Sequence, residues 1–153
     1  MGEREQEVVI RRMNVSDAVV AAELSGELGY PVTRERMEER LRRFARLPDH
    51  AVFAACVGEQ VVGWVDVQVA QHLQTEMYGE IGGLVVSEKC RSRGVGQKLV
   101  EAAEQWIVAR GIGAVVVRSR ITRERAHAFY LRQGYARVKT SAIFRKDLAS
   151  SAE

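Results

Sequence analysis

One stretch, Glu80 to Arg110, constrains the fold more than any other, because it reads as a strand, a glycine-bearing loop and a helix in immediate succession. Ile81-Gly82-Gly83-Leu84-Val85-Val86 is short, apolar and valine-rich at its end, the pattern of a buried strand. The loop Cys90-Arg91-Ser92-Arg93-Gly94-Val95-Gly96-Gln97 follows. Beyond it Val95, Leu99, Ala102, Trp106 and Ala109 recur at steps of three and four, which predicts a helix with one apolar face that Gly111 stops. A helix start of this kind aims unpaired backbone N–H groups and the positive end of the helix dipole at whatever sits over Gly94 to Gln97. Glycines at 94 and 96 keep Cβ atoms out of the way of an approaching anion, and Arg91, Arg93 and Lys98 add full positive charges around it. The sequence therefore predicts a diphosphate cradle.

Spacing excludes two other phosphate motifs: no Gly-Lys-Ser/Thr follows for a P-loop, and no third glycine completes a dinucleotide fingerprint. The remaining pattern, Arg-x-x-Gly-x-Gly at Arg91, Gly94 and Gly96, resembles the acetyl-coenzyme A signature of the GNAT superfamily of N-acetyltransferases. A second stretch agrees. Arg123 to Tyr135 contains Ala126, Phe129-Tyr130 and Gly134-Tyr135, and resembles the family's C-terminal motif, Asn-x-x-Ala-x-x-Phe-Tyr followed by Gly-Phe or Gly-Tyr. On helical geometry alone Ala126, Phe129, Tyr130 and Gln133 share one side, and Gly134 is placed to end the helix in a left-handed cap. Arg123 departs from the family, which often has asparagine there, so the amide contact to the cofactor is replaced by whatever an arginine can make.

Composition fits one compact domain. The 153 residues are 46% hydrophobic and 28% charged, enough to bury a core without disulfides. We expect a single domain over residues 1–148 and a frayed polar tail over 149–153. The net charge of +3 is carried by arginines interleaved with glutamates; Arg34, Arg36, Arg40, Arg42 and Arg43 alternate with Glu35, Glu38 and Glu39 and read as a solvated helix face, not a nucleic-acid patch. Cys56 and Cys90 are single and far apart with no zinc spacing, which points to reduced thiols in a cytoplasm and to no metal. No apolar run of membrane-spanning length occurs, and the charged start, with Met1-Gly2 not followed by a serine or threonine at position 6, reads as neither a signal peptide nor a myristoylation site.

Along the chain, Val8–Arg12 reads as a strand, Asn14 to Asp17 as the start of a helix closing near Leu28-Gly29, and Thr33 as the N-cap of a second helix with Met37, Leu41, Phe44 and Ala45 on one face. Ala51 to Val57 and Val61 to Ala70 form a hairpin across Gly58-Glu59-Gln60, Gln71 to Gly79 a loop, and Ala114 to Arg118 a further strand. Tyr135 to Val138 and Ala142 to Arg145 are expected to close the sheet. The order resembles the GNAT fold throughout: an α/β (α+β) domain whose mixed, mostly antiparallel sheet has splayed central strands and is flanked by helices.

The resemblance implies acetyl transfer from acetyl-CoA to an amine. Backbone N–H groups of Leu84, Val85 and Val86 would hold the pantetheine arm and polarise the acetyl carbonyl; Arg91, Ser92, Arg93, Gly94, Val95, Gly96 and Gln97 would take the pyrophosphate, with Arg123 and Phe129 also at the cofactor. Glu80 stands eleven residues before Arg91, the offset of the glutamate base in the family's histone acetyltransferases. Strict alternation puts Glu80, Gly82, Leu84 and Val86 on one face of the strand. A free carboxylate, pKa about 4.3, and an ammonium, about 10.4, are some six units apart, so a raised pKa, a relay water or selection of the neutral amine is required. Tyr130 is the implied general acid at the leaving sulfur. A thiol of pKa about 8.5 is the stronger acid of the pair, so the phenol assists by hydrogen bonding more than by full proton transfer.

For the acceptor the resemblance, which places its entry beside the first helices and the ends of the central strands, points to Tyr30, Trp64, Asp66, His72, Glu76 and Tyr78, whose acids suit an aminoglycoside, a polyamine or a lysine side chain; His50, His72 and His127 read as structural or exposed. The alternatives are a catalytically silent acyl-CoA-binding sensor and, more remotely, a basic nucleic-acid-binding domain. A homodimer is the family's expectation.

Overall fold

The computed structural model describes residues 7–91 and 93–149. The expectations placed on Met1-Gly2, on Ser92 in the cradle and on tail residues 150–153 lie outside them. The chain divides into two compact units, residues 1–118 and 119–153.

In the first unit a five-stranded sheet runs in sequence order: β1 (Val8–Arg12), β2 (His50–Val57), β3 (Gln60–Ala70), β4 (Tyr78–Val86) and β5 (Val115–Val117). The first four are antiparallel and β5 is parallel to β4, giving the expected mixed sheet. Helices α1 (Ala18–Leu28) and α2 (Arg34–Ala45) pack on one face and α3 (Val95–Val108) on the other. Local chemistry fixes each start. Asn14 accepts from Ser16 N–H at 3.1 Å and Asp17 returns a bond to Asn14 N–H at 2.9 Å, a capped turn that leads into α1. Thr33 Oγ1 accepts from Arg36 N–H at 3.1 Å and starts α2.

The apolar stripe of α3 differs from the expected one. Val95, Leu99 and Trp106 are buried as foreseen, but Val100, Ala103 and Ile107 complete the stripe, while Ala102 is half-buried and Ala109 exposed. A helix lying on a sheet needs a stripe more than 100° wide, and a single row of positions describes only part of it. Leu99 and Ile107 have no exposed surface, and each contributes about 1.5–3 kcal/mol of burial.

β2 and β3 each begin one residue before the expected start, at His50 and Gln60, and other limits move further. β4 begins at Tyr78, which shortens the expected loop to residues 71–77. β5 keeps only Val115–Val117 of the expected Ala114 to Arg118. In the second unit α4 spans Glu124–Arg132, Gly134 ends it with φ 92°, and residues 134–149 form no strand. The expected closing strands at Tyr135 to Val138 and Ala142 to Arg145 are thus not formed. Val138, Ile143 and Phe144 are 82, 89 and 93% exposed, so their apolar pattern joins no ladder; alternation alone cannot make a strand without a hydrogen-bonding neighbour.

Candidate active site

The site is organised by β4. Its register against β3 slips between Asp66 and Val67: Asp66 faces Gly83, Val67 faces Ile81, and Gly82 is the extra residue of a bulge. The slip corrects the expected alternation. Gly79 and Ile81 face α3, and Glu80 between them faces the α1/α2 side. Gly82 and Gly83 then both face α1/α2, because a Cβ at Gly82 would lie 2.8 Å from Asp66 Oδ1 and one at Gly83 3.0 Å from the Trp64 ring. Leu84 and Val86 pack into the α3 core, and Val85 into the α1/α2 core. Glu80 and Gly82 are therefore on the opposite face from Leu84 and Val86, and glycine at 82 and 83 is what lets Trp64 and Asp66 approach the strand.

At the same point β4 and β5 part. Their ladder pairs Gly79, Glu80 and Ile81 with Val115, Val116 and Val117 and ends there. Beyond it, Gly82 to Val86 have no β5 residue alongside, leaving a strand edge of the kind that binds an extended ligand through its backbone.

Beyond β4 a short turn, Glu88–Cys90, leads to α3. Gly94 sits at the helix start with φ 77°, a left-handed conformation that glycine adopts without steric cost, and no side chain caps the first turn. Lys98 N–H donates to Gly94 O at 3.2 Å and closes the first turn, so the N–H groups of Val95, Gly96 and Gln97 precede it. A Cβ at Gly94 would meet nothing within 4 Å; the approach to this helix end is open. Arg91, Arg93 and Lys98 are exposed around it, and Arg91 only reaches Glu88 at 4.0 Å. Val95 is buried, so its contribution to the cradle is its N–H, and the Gln97 side chain turns along the helix to Glu101 at 3.2 Å. This surface fits a diphosphate.

Glu80 is engaged on both oxygens. Arg118 Nε donates to Oε2 at 2.8 Å and Gln68 Nε2 to Oε1 at 3.4 Å, while Arg118 Nη2 donates to the Tyr78 hydroxyl at 3.3 Å. The carboxylate and the phenol hold the guanidinium more firmly protonated than usual. Asp66, one step along the same face, has His50 Nε2 3.7 Å from Oδ1, and the His50 ring stacks on Phe44 at 4.2 Å. Trp64 is fixed by donation from Nε1 to Ala21 O at 3.2 Å. Beside Trp64 and Asp66 opens a cavity of about 330 Å³, walled by the sheet on one side and by Met37, Arg40, Arg43 and Phe44 of α2 on another.

Of the expected acceptor residues, Trp64 and Asp66 line that cavity; Tyr30 and Glu76 are exposed, and His72 stacks on Tyr78 at 5.9 Å. Missed by the sequence reading were Arg118, Gln68, His50 and the two arginines of α2. Arg118 follows only from the register: parallel pairing of Glu80 with Val116 puts a residue two positions later beside the carboxylate, and no local signal in the sequence gives that pairing.

In the second unit Tyr130 packs edge-on against Phe129 at 5.3 Å and Tyr135 at 6.1 Å. Burial pushes its hydroxyl pKa up, against a smaller lowering by Arg123. Arg123 occupies the helix N-cap without a side-chain bond to the first turn, a bond its all-donor guanidinium cannot accept.

Among the described residues no cluster could hold a metal ion, no helix is long and apolar enough to cross a membrane, and Cys56 and Cys90 are free. The model of the acetyltransferase (GNAT) family matches residues 18–135. The chain is 30% identical over 119 residues to the aminoalkylphosphonate N-acetyltransferase of Salmonella typhimurium, covering 77% of this chain and 75% of that one. It is 27% identical over 148 residues to the aminoglycoside N(6′)-acetyltransferase type 1 of Stenotrophomonas maltophilia, covering 94% and 95%. Among solved structures, the aminoglycoside N-acetyltransferase AAC(6′)-Iy in complex with CoA superposes with a TM-score of 0.86 at 16% identity, over 97% of this chain and 100% of that one.

Proposed function

Because the chain belongs to the GNAT family and is an acyltransferase of that family, we propose that it moves the acetyl group of acetyl-CoA onto the primary amine of a small acceptor, by direct attack in a ternary complex. The observation that carries this reading is the parting of β4 from β5 after Ile81 and Val117, next to the open, uncapped start of α3. The backbone of Leu84, Val85 and Val86 takes the pantetheine arm and polarises the thioester carbonyl. N–H groups of Val95, Gly96 and Gln97, with Arg91 and Arg93, take the pyrophosphate.

The amine enters from the cavity beside Trp64 and Asp66, whose walls adjoin the Gly82 bulge. Its nitrogen attacks the acetyl carbon, the C–S bond breaks, and one proton must leave the nitrogen as one reaches the sulfur. Glu80 is the base. Since both its oxygens are occupied, it takes the proton through a water or after Arg118 shifts. Alignment of amine and thioester supplies much of the rate, in favourable cases about 7–11 kcal/mol. Tyr130 is assigned to the leaving sulfur on the family motif, and its raised pKa makes it a hydrogen-bond donor to the developing thiolate more than a source of a full proton. The two free cysteines suit a cytoplasmic enzyme.

The two relatives named above are an aminoalkylphosphonate and an aminoglycoside N-acetyltransferase, so the family likeness leaves the acceptor open. An amine-library screen that reads thiol release from acetyl-CoA tests the proposal. Release with at least one amine is expected; acetyl-CoA binding with no release from any amine puts the silent sensor in its place. In the same assay Tyr130→Phe should lower kcat about 10- to 10³-fold, and less for a thioester with a more acidic thiol. An equal defect for both thioesters removes Tyr130 as proton donor.

A further inference from the structure

We infer that the acceptor is a small primary amine that also carries an oxyanion (phosphonate, phosphate or carboxylate), and that Arg40 and Arg43 select it. The inference rests on the acetyltransferase reading and concerns the acceptor side of that site.

The charges on the cavity walls are of opposite sign and on different elements. Asp66, on β3, is the carboxylate among the lining residues; Arg40 and Arg43, on α2, are the cations. Asp66 lies against the β4 bulge, so close that a Cβ at Gly82 would come within 2.8 Å of Oδ1. An ammonium or amine held by Asp66 is thereby delivered to the strand edge where β4 leaves β5.

The arginines face a different demand. Arg34, at the start of the same helix, is paired with Glu38 at 3.1 Å. Neither Arg40 nor Arg43 has an acidic partner within ion-pair distance among the described residues, and the Arg43 guanidinium instead lies 5.6 Å from the Phe44 ring centroid. Guanidinium groups present forked donors matched to the oxygens of a carboxylate or phosphonate. The same cavity is also walled by Met37, Phe44 and Trp64, which are apolar and suit a short carbon linker. A polycation would place its second ammonium against two like charges with one carboxylate to serve it. At about 330 Å³ the space is at the lower end of small-molecule sites, which run from about 300 Å³ upward.

The test uses the full chain with acetyl-CoA and four acceptors: 2-aminoethylphosphonate, ethanolamine, ethylenediamine and a polycationic aminoglycoside. We expect kcat/KM to be at least about tenfold higher for 2-aminoethylphosphonate than for ethanolamine, and lowest for the two cations. The double variant Arg40→Ala, Arg43→Ala should raise KM for 2-aminoethylphosphonate about 10- to 100-fold, a loss at least tenfold larger than for ethanolamine, and the double lysine variant should keep the order of preference. Turnover of either cation as good as that of the phosphonate, or equal losses for all acceptors in the alanine variant, overturns the inference while leaving the acetyltransferase reading in place. If none of the four releases thiol, the amine library still decides the acetyltransferase reading, and calorimetric titration of 2-aminoethylphosphonate into CoA-loaded protein decides the inference: binding lost in the alanine variant supports it, and no binding by the wild type overturns it.

Discussion

On the face of the sheet that α3 covers, β2, β3 and β4 present Ala55, Val65, Val67 and Ile81, each at most 1% exposed. On the face turned to α1 and α2 the same strands present His50 beside Asp66, and Gln68 and Glu80, the latter bonded to Gln68 and Arg118. The first face is dry and packed; its energy is burial, and the cradle helix is anchored by it. Every charge on the second must be held by a partner or a ligand, since an unpaired charge there would lose its hydration for nothing. The Gly82 bulge is where the two uses meet, because it moves Leu84 and Val86 onto the dry face while keeping Glu80 on the charged one. A strand can then hold a cofactor by its backbone edge and address an acceptor by its side chains.

The largest test of this division is Glu80→Gln. If the charged face serves chemistry, kcat/KM should fall about 10² to 10³-fold, with acetyl-CoA affinity nearly intact and the melting temperature within a few degrees of wild type. The division breaks if activity survives across pH 6 to 9 while stability drops, for then the Glu80–Arg118 pair is a structural clasp.

The opposite result is expected on the dry face. A Cβ at Gly63 would stand 2.7 Å from the carbonyl oxygen of Val85 and 3.2 Å from Leu99 Cδ1. Backbone oxygen cannot swing aside as a flexible side chain can, so Gly63→Ala should destabilise the fold by about 1–3 kcal/mol in denaturant melts. KM for the amine should not move in the folded enzyme. A selective rise in that KM at unchanged stability would show that the packed face reaches the acceptor.

How much of this was legible in the sequence depended on how local each signal is. The loop and helix start around Gly94 were readable because their parts are neighbours in sequence: a glycine at the helix start, Arg91 and Arg93 before it, and Val95 and Leu99 as the first apolar positions of α3. Asn14 and Thr33 were readable as helix starts for the same reason. The bulge was not, since an extra residue at Gly82 exists only relative to Asp66 on another strand, and parity counted along one strand fails at that residue. Pairing of Glu80 with Arg118 needed the parallel register, 38 residues away. The arginines of α2 looked like one solvated face because glutamates alternate with them, yet only Arg34 takes a glutamate of its own helix, at 3.1 Å, while Arg40 and Arg43 turn to a cavity. The strands expected within residues 134–149 had the right composition, and the structure gives them no ladder.

The smallest expected effect separates two kinds of charge on the acceptor face. Asp17 is also a carboxylate paired with an arginine there: Arg11 donates to both its oxygens, at 2.8 and 3.0 Å, and Asp17 in turn accepts from Asn14 N–H. Unlike Glu80 it touches neither the cavity nor the β4 edge, so its work is to tie β1 to the start of α1. The Arg11 bond, more than the backbone bond from Asn14, holds its carboxyl below the ordinary 3.8, against an opposing effect of burial. A folded-state pKa that is depressed stabilises above the unfolded value and loses that contribution as pH falls through the folded one. Asp17→Asn should therefore cost about 1 kcal/mol at pH 7, measured by denaturant melts, and the gap from wild type should narrow below pH 3.8. Kinetic constants for both substrates should stay at wild-type values, because the amide still accepts from Asn14 and the ring of contacts around Asp66 is untouched. If instead kcat/KM falls while the melts coincide, the carboxylates of this face act as one field on the acceptor, and the separation of a structural pair from a chemical one would have to be given up.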